Sequence, residues 1–193
     1  GDANASEVFI GKEYPLWVGD ERVNDLNKGD IFGDGTAKFE IIDGKNVLTL
    51  NGYKLENYNG NGIYADGIDL TIVGSAEIGV TGAVSSAISV YESNLTLNGD
   101  FTLRAQCQTG TTIFVIGYLT VEGGALDVEN TGEGRNAIYV YDRMTVNGGT
   151  VHAKTNGAKA ISARDGITLN NDEAYLLGDA NASEVFIGKQ HPL

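Results

Sequence analysis

The 193-residue sequence has only one cysteine, Cys107, and two prolines. A single cysteine excludes an internal disulfide and any metal site built from several cysteines. No run of 18 apolar residues occurs, so the sequence predicts no membrane insertion. Basic residues number 13 against 26 acidic ones, a net charge of −13, which disfavours nucleic-acid phosphates and anionic membrane surfaces as partners. The charge therefore favours neutral or cationic partners.

Glycine is plentiful, with 27 residues, and no segment keeps the 3.6-residue period of a helix. Instead, short alternating triplets return about every 24 residues, separated by turns rich in glycine, asparagine and aspartate. A Leu-Thr-Leu type of triplet begins at Leu48, Leu70, Leu95, Leu119, Met144 and Ile167. A second type begins at Ile63, Ile88, Ile113, Ile138 and Ile161, and a third at Ile78, Phe101, Leu126 and Val151.

Three short strands per period predict an all-β fold, a right-handed parallel β-helix (solenoid) with three strands per coil and about five to six coils. The pattern lacks the leucine-rich repeat signature, and a propeller blade needs about 40 residues or more. Stacking of equivalent positions predicts a threonine facing outward in all six Leu-Thr-Leu strands. It also predicts that Asp127 and His152 lie on neighbouring coils, beside a charged column of Arg104, Glu129 and Lys154.

A solenoid has open ends that need capping. Residues 13–47 predict an N-terminal cap with a β-hairpin turning at Asp43-Gly44, followed by the β-helix over 48–172.

The first twelve residues, GDANASEVFIGK, recur without change at 178–189. We interpret 1–12 as an inter-unit linker and 173–193 as a C-terminal linker with the start of the next tandem unit; a cloning artefact is the alternative. Val185-Phe186-Ile187 predicts a short strand. Three interpretations of that strand stay open: it pairs with the last coil, it is loose, or it pairs with another molecule.

Aromatic side chains at outward positions of the isoleucine strands are the candidate ligand-binding residues. They are Tyr64, Phe114 and Tyr139, with Tyr91 and Tyr141 in the adjacent column. Flat rings with hydroxyls suit stacking on sugars, and the coil spacing of about 4.8 Å is close to the length of one hexose. Either this face binds a glycan, or a cap, loop or neighbouring unit covers it.

Catalysis has little support from the residue pattern. A polysaccharide lyase needs a basic side chain beside acid-held calcium, and a glycosidase needs a carboxylate pair across a cleft. Outward acids on the strands are sparse, so we predict no catalytic residues and no cofactor. Calcium stays open as a ligand of acidic turns, with simple turn formation as the other interpretation. The candidate ligands are Asp20, Asp30, Asp34, Asp43, Asp66 and Asp69.

Several phrases together resemble the cell-surface carbohydrate-binding-domain-containing β-helix proteins of Firmicutes. These phrases are YPLWV (14–18), GDIFGDGT (29–36), NVLTLNG (46–52) and GNGIYADG (60–67). The resemblance covers about 13–170 and implies a secreted or surface-attached protein, often in tandem units, without defined catalytic residues. This chain departs from the family in its bulkier outward residues on the isoleucine strands.

The expected function is a non-catalytic extracellular surface module whose partner is a polysaccharide or a host or cell-surface glycan. The alternative is a structural spacer or adhesin unit that contacts neighbouring units of the same array. A polysaccharide lyase is the third hypothesis.

Overall fold

The computed structural model describes residues 11–106, 110–170, 174–177 and 183–189. Every regular element within these residues is a β-strand. None of the described segments is a helix long and apolar enough to cross a membrane. Cys107, most of the predicted linker at 1–12 and parts of the predicted segment 173–193 lie outside the described residues.

The strands in chain order are β1 (Glu13–Val18), β2 (Glu21–Asn24), β3 (Ala37–Ile42), β4 (Lys45–Tyr58), β5 (Ile63–Asp66), β6 (Leu70–Val80), β7 (Ile88–Tyr91), β8 (Leu95–Ala105), β9 (Ile113–Val115), β10 (Leu119–Gly123), β11 (Ala125–Glu133), β12 (Ile138–Val140), β13 (Met144–Val146), β14 (Thr150–Asn156), β15 (Ile161–Ala163), β16 (Ile167–Leu169), β17 (Ala174–Leu177) and β18 (Glu184–Lys189).

The strands form stacked parallel coils with three walls. The aromatic wall consists of β5, β7, β9, β12 and β15. The threonine wall consists of the first parts of β4, β6 and β8 with β10, β13 and β16. The charged wall consists of the last parts of β4, β6 and β8 with β11 and β14. The predicted all-β parallel solenoid is therefore confirmed.

The core is a set of apolar columns that run from coil to coil. In the aromatic wall, Ile63, Ile88, Ile113 and Ile138 pair in direct register and are fully buried. Each such side chain contributes about 1.5–3 kcal/mol by leaving water. Because every coil presents the same face inward, one sequence period places like residues on top of one another.

The predicted register of the first coil is wrong by two residues. Leu48 pairs with Ile72 rather than Leu70, so Val47, and not Thr49, lies beside Thr71. The physical reason is coil length: Leu48 and Ile72 are 24 positions apart (72 − 48), as Leu95 and Leu119 are (119 − 95), so the predicted pairing would shorten the coil. The outward threonine column accordingly has five members, which are Thr71, Thr96, Thr120, Thr145 and Thr168.

The prediction for the third type of triplet, which aligned Ile78 with Phe101, is also wrong by two residues. Phe101 pairs with Ala76, and Ile78 pairs with Leu103. Strands β6 and β8 pair without interruption. The prediction aligned Ile78 with Phe101, but this register places Phe101 two positions earlier, opposite Ala76. Both positions point inward, because a shift of two residues keeps the same face of a strand toward the core.

Antiparallel strands close the N-terminal end. Strand β1 pairs with β2 and with β5 of the aromatic wall. Strands β3 and β4 form the predicted hairpin, with Asp43 and Gly44 both at positive φ in the turn. These two pairings leave no open edge on the first described coil at those walls.

The opposite end is closed on the charged wall. Strand β18 pairs antiparallel with β14, and β17 pairs antiparallel with β18. The predicted strand Val185-Phe186-Ile187 therefore exists and pairs with the last coil of the charged wall.

Candidate functional site

A continuous row of rings runs along the outside of the aromatic wall. The ring centroids of Tyr64 and Tyr91 are 5.8 Å apart, those of Tyr91 and Phe114 5.3 Å, and those of Phe114 and Tyr139 5.4 Å. Direct register places Tyr64, Ser89, Phe114 and Tyr139 in one column. Tyr91, which the sequence placed in the adjacent column, fills the gap above the buried Ser89, so four of the five predicted residues form one surface.

Trp17 extends this row by a fifth ring that the repeat pattern did not identify. Its ring centroid lies 5.4 Å from that of Tyr64, because β1 pairs with β5 at these two residues. The Arg22 guanidinium lies 5.0 Å from the Trp17 ring, a cation–π contact at the end of the row. Alternation with the buried Leu16 and Val18 is the sequence signal that places Trp17 outward. We call Trp17, Tyr64, Tyr91, Phe114 and Tyr139 the ring row.

Tyr141, the fifth predicted residue, contacts a cation rather than the ring row. The Arg164 guanidinium lies 4.8 Å from its ring centroid. Backbone hydrogen bonds from Tyr141 to Val115 and from Arg164 to Val140 put both residues on adjacent coils of the same column. Tyr141 therefore lies beside the row as a separate, exposed aromatic group.

The rings differ in how much of their faces they leave free. Phe114 and Tyr139 are nearly parallel, at 11°, so each covers one face of the other. Tyr91 meets its neighbours at 54° and 45°, and a tilted contact covers less of a ring face. Tyr91 is 37% exposed and the separate Tyr141 is 43% exposed, whereas the other four residues of the ring row are half-buried. Tyr91 and Tyr141 are thus the rings best placed to accept a flat ligand.

Burial and nearby charge also act on the hydroxyl of Tyr64. Burial, followed by Asp66 and Tyr91, raises the pKa of the Tyr64 phenol above its usual range. The hydroxyl therefore remains protonated at neutral pH and can donate a hydrogen bond.

An ionic cluster lies on the charged wall. The predicted neighbours Asp127 and His152 are 3.0 Å apart, Oδ1 to Nδ1, and His152 Nε2 lies 2.8 Å from Glu184 Oε1. Arg104 binds Asp127 at 2.7 Å and Glu129 at 3.1 Å. The predicted charged column is therefore present, and its carboxylates are held by cations in a structural network that joins β8, β11, β14 and β18.

This cluster predicts a stability maximum in mildly acidic solution. The hydrogen bond to Glu184, opposed by burial and aided by Asp127, raises the pKa of His152 above 6.5, so its contribution is complete below pH 6.5 and is lost as pH rises through the raised value. The hydrogen bond from His152 lowers the pKa of Glu184 below 4.5. Burial acts to raise the pKa of Asp127, but the bonds from Arg104 and His152 outweigh burial, so this pKa is also lowered. Carboxylate contributions are thus lost only at more acidic pH.

We expect the melting temperature to be higher at about pH 5 than at about pH 8. The matched variant His152→Gln keeps a polar side chain but does not titrate, so it should lose this difference. Thermal unfolding followed by circular dichroism measures both. An unchanged pH dependence in His152→Gln would show that another group is responsible.

The acidic turns of the N-terminal cap bind their own backbone. The Asp30 carboxylate accepts hydrogen bonds from the amides of Gly33, Asp34 and Gly35. Asp34 accepts from the amide and the hydroxyl of Thr36. Among the described residues, no group of three or more His, Cys, Asp or Glu side chains is arranged to hold a metal ion. Turn formation accounts for these carboxylates, and calcium binding stays a prediction.

A polar groove lies on the threonine wall. It is an open groove of about 550 Å³ lined by polar residues that include Asp69, Thr71, Asn94 and Thr96. The Asn94 side-chain oxygen accepts a hydrogen bond from the backbone amide of Tyr118, and the backbone amide of Asn94 donates to the Asp69 carboxylate. These bonds connect successive coils along the edge of the groove. The Asp69 and Asn94 side chains are therefore occupied by structural bonds, and no aromatic ring lines the groove.

Comparisons with protein-family models, with curated proteins and with solved structures found no match to this chain. The family resemblance noted in the sequence therefore stays an expectation, as do the location and the partners that it implies.

Proposed function

We propose that this chain is a non-catalytic extracellular module that binds a polysaccharide or cell-surface glycan along the aromatic wall. The observation that carries the proposal is the unbroken ring row, with contacts from Trp17 to Tyr139. Contiguous apolar surface on a solvent-facing wall is typical of a binding site. The location follows from the family resemblance alone.

An extended, neutral glycan fits this surface best. The coils repeat every 4.8 Å or so, so successive sugar rings of a polymer aligned with the solenoid axis meet successive coils. The phenol hydroxyls of Tyr64, Tyr91 and Tyr139 supply donors and acceptors beside the apolar ring surfaces. The net charge of −13 disfavours a strongly anionic polymer.

The proposal predicts that Tyr91→Ala combined with Tyr141→Ala weakens glycan binding about tenfold or more. Each aromatic contact contributes about 0.5–1.5 kcal/mol, and about 1.4 kcal/mol corresponds to tenfold in affinity. A glycan array identifies the polymer, and affinity electrophoresis in gels containing that polymer measures the dissociation constant.

Tyr118→Ala is the matched control. Tyr118 is 52% exposed, more than either target residue, but it precedes β10 at a corner outside the ring row. The control should migrate as the unsubstituted chain does. Equal loss in both variants, or no retardation of the unsubstituted chain by any polymer, contradicts glycan binding along the aromatic wall.

A second candidate function is a structural unit of a tandem surface array. The specific observation is that the C-terminal copy of the repeated dodecapeptide contains β18, which closes the last coil of the charged wall. A segment that completes a solenoid at one end and recurs at the other suits a chain of successive units. Absence of glycan binding together with unit-to-unit association would favour this function.

A further inference from the structure

The repeated dodecapeptide contains a closing strand. In its C-terminal copy, β18 pairs with β14 through Val151 with Ile187, His152 with Phe186, Ala153 with Val185 and Lys154 with Glu184. The amide of Thr155 also donates to the Ser183 carbonyl at 2.8 Å. Strand β18 thereby satisfies the edge of β14 that would otherwise be open.

The side chains of β18 match this edge in two ways. Val185 and Ile187 are 4% and 0% exposed, so the inward face of the strand completes the core. On the outward face, Glu184 lies 2.8 Å from His152 of β14. All six residues of β18 recur in the same order as residues 7–12, so the N-terminal copy carries the same apolar and acidic complement to β14.

The last residue of the dodecapeptide is already part of the following cap. The Lys12 amide donates to Asp25 Oδ2 at 2.8 Å, and the Asp25 amide donates to the Lys12 carbonyl at 3.0 Å. Strand β1 begins at the next residue, Glu13. The dodecapeptide therefore ends where one solenoid begins, which leaves no spacer between a closing strand and the cap behind it.

We propose that residues 1–12 are a transferable closing strand that pairs antiparallel with β14 of a second copy of this chain, joining copies head to tail. In a tandem array the two copies are successive units, and the strand passes from the charged wall of one to the cap of the next. In the separate chain, β18 occupies the same edge at high effective concentration and keeps the molecule monomeric. The inference deepens the array interpretation and is independent of glycan binding.

The test removes one closing strand at a time from the full chain. Val185→Asp with Ile187→Asp disables β18 and should produce head-to-tail oligomers that grow with protein concentration, because residues 7–12 of another molecule take the vacated edge. Val8→Asp with Ile10→Asp should remain monomeric with an unchanged melting temperature. The variant with all four substitutions has the same open edge but no donor strand and should be monomeric. Sedimentation velocity measures the species.

Identical sedimentation of the β18-disabled variant and the four-substituted variant at every concentration overturns the proposal. If the aspartate substitutions unfold the chain, the milder pair Ile187→Thr and Ile10→Thr is used instead. The peptide GDANASEVFIGK should then raise the melting temperature of Ile187→Thr in a concentration-dependent way, and the same peptide with aspartate at the valine and isoleucine positions should not. Absence of any shift with the native peptide likewise overturns it.

Discussion

Replacing Gly124 with alanine is expected to destabilise the solenoid by about 4 kcal/mol or more, a large fraction of the stability of a typical domain. A Cβ at this position would lie 2.0 Å from the Gly99 carbonyl oxygen and 2.3 Å from its carbon. Both atoms belong to the backbone of the preceding coil, so no side chain can move aside. Gly124 also has a φ of +81°, which an L side chain adopts only with strain.

The same crowding recurs at the corner between the threonine and charged walls. Cβ atoms at Gly74 and Gly149 would lie 2.0 Å and 2.2 Å from the carbonyl oxygens of Leu50 and Gly124. Successive backbones approach so closely there that only glycine fits. At each of these glycines, a side chain would collide with the backbone of the preceding coil. A substitution would therefore push the two coils apart at this corner.

Gly134→Ala is the control that isolates backbone strain from collision. Gly134 has a similar φ of +67°, but beyond its two chain neighbours no atom lies within 4 Å of the position that a Cβ would take. Its replacement should cost about 1 kcal/mol. Urea unfolding gives both free energies, and similar losses at the two positions would show that close approach at the corner does not limit the fold.

The repeat length is enough to predict the walls because each coil must return the chain to the same wall with the same face inward. Ile88 and Ile113 are separated by one period, and they pair directly. The same reasoning predicts that Asp127 lies beside His152, and these two residues also pair in register. Regular coils are predictable since each residue has an equivalent on the coil above and below.

The first coil is not predictable in this way. Its register differs by two residues from the one that aligns Leu48 with Leu70, and the pairing is interrupted by a bulge between Asn51 and Tyr53. A shift of two keeps the same face of the strand inward, so the alternation of apolar residues is the same in both registers. Hydrophobic patterning therefore could not distinguish them.

The ring row was predicted in part. Stacking of equivalent positions identified Tyr64, Phe114 and Tyr139, but the row is continuous only because Tyr91 leans into the gap at Ser89. Trp17 joins through an antiparallel pairing of the cap, which lies outside the 24-residue repeat. Contacts between columns, and contacts across the cap, depend on side-chain direction and on chain entry rather than on the repeat.

The two proposals use different walls of the solenoid. Strand β18 pairs on the charged wall, whereas the ring row lies on the aromatic wall. A donated strand at the β14 edge would therefore leave Tyr91 and Tyr141 accessible. Units joined head to tail through this strand could present their ring rows repeatedly, which would raise the avidity for a polymer that spans several units.

Asn130→Ala is expected to cost about 3 kcal/mol, because this buried amide satisfies three backbone groups. Asn130 is 1% exposed; its Nδ2 donates to the carbonyls of Gly110 and Asn136, and its Oδ1 accepts from the Gly132 amide at 2.9 Å. A buried polar group left without a partner costs about 1–3 kcal/mol. The repeat does not predict this role for Asn130, because the asparagines that recur from coil to coil lie in surface turns.

Asn147→Ala is the matched control. The Asn147 side chain bonds Glu122 and Asn170 at the surface, where water replaces lost partners, so its removal should cost about 0.5 kcal/mol or less. Urea unfolding compares the two free energies, and amide hydrogen exchange at Gly132 should accelerate only in Asn130→Ala. Equal losses, or unchanged exchange at Gly132, would mean that the connection from β11 to β12 is held by packing alone and not by this amide.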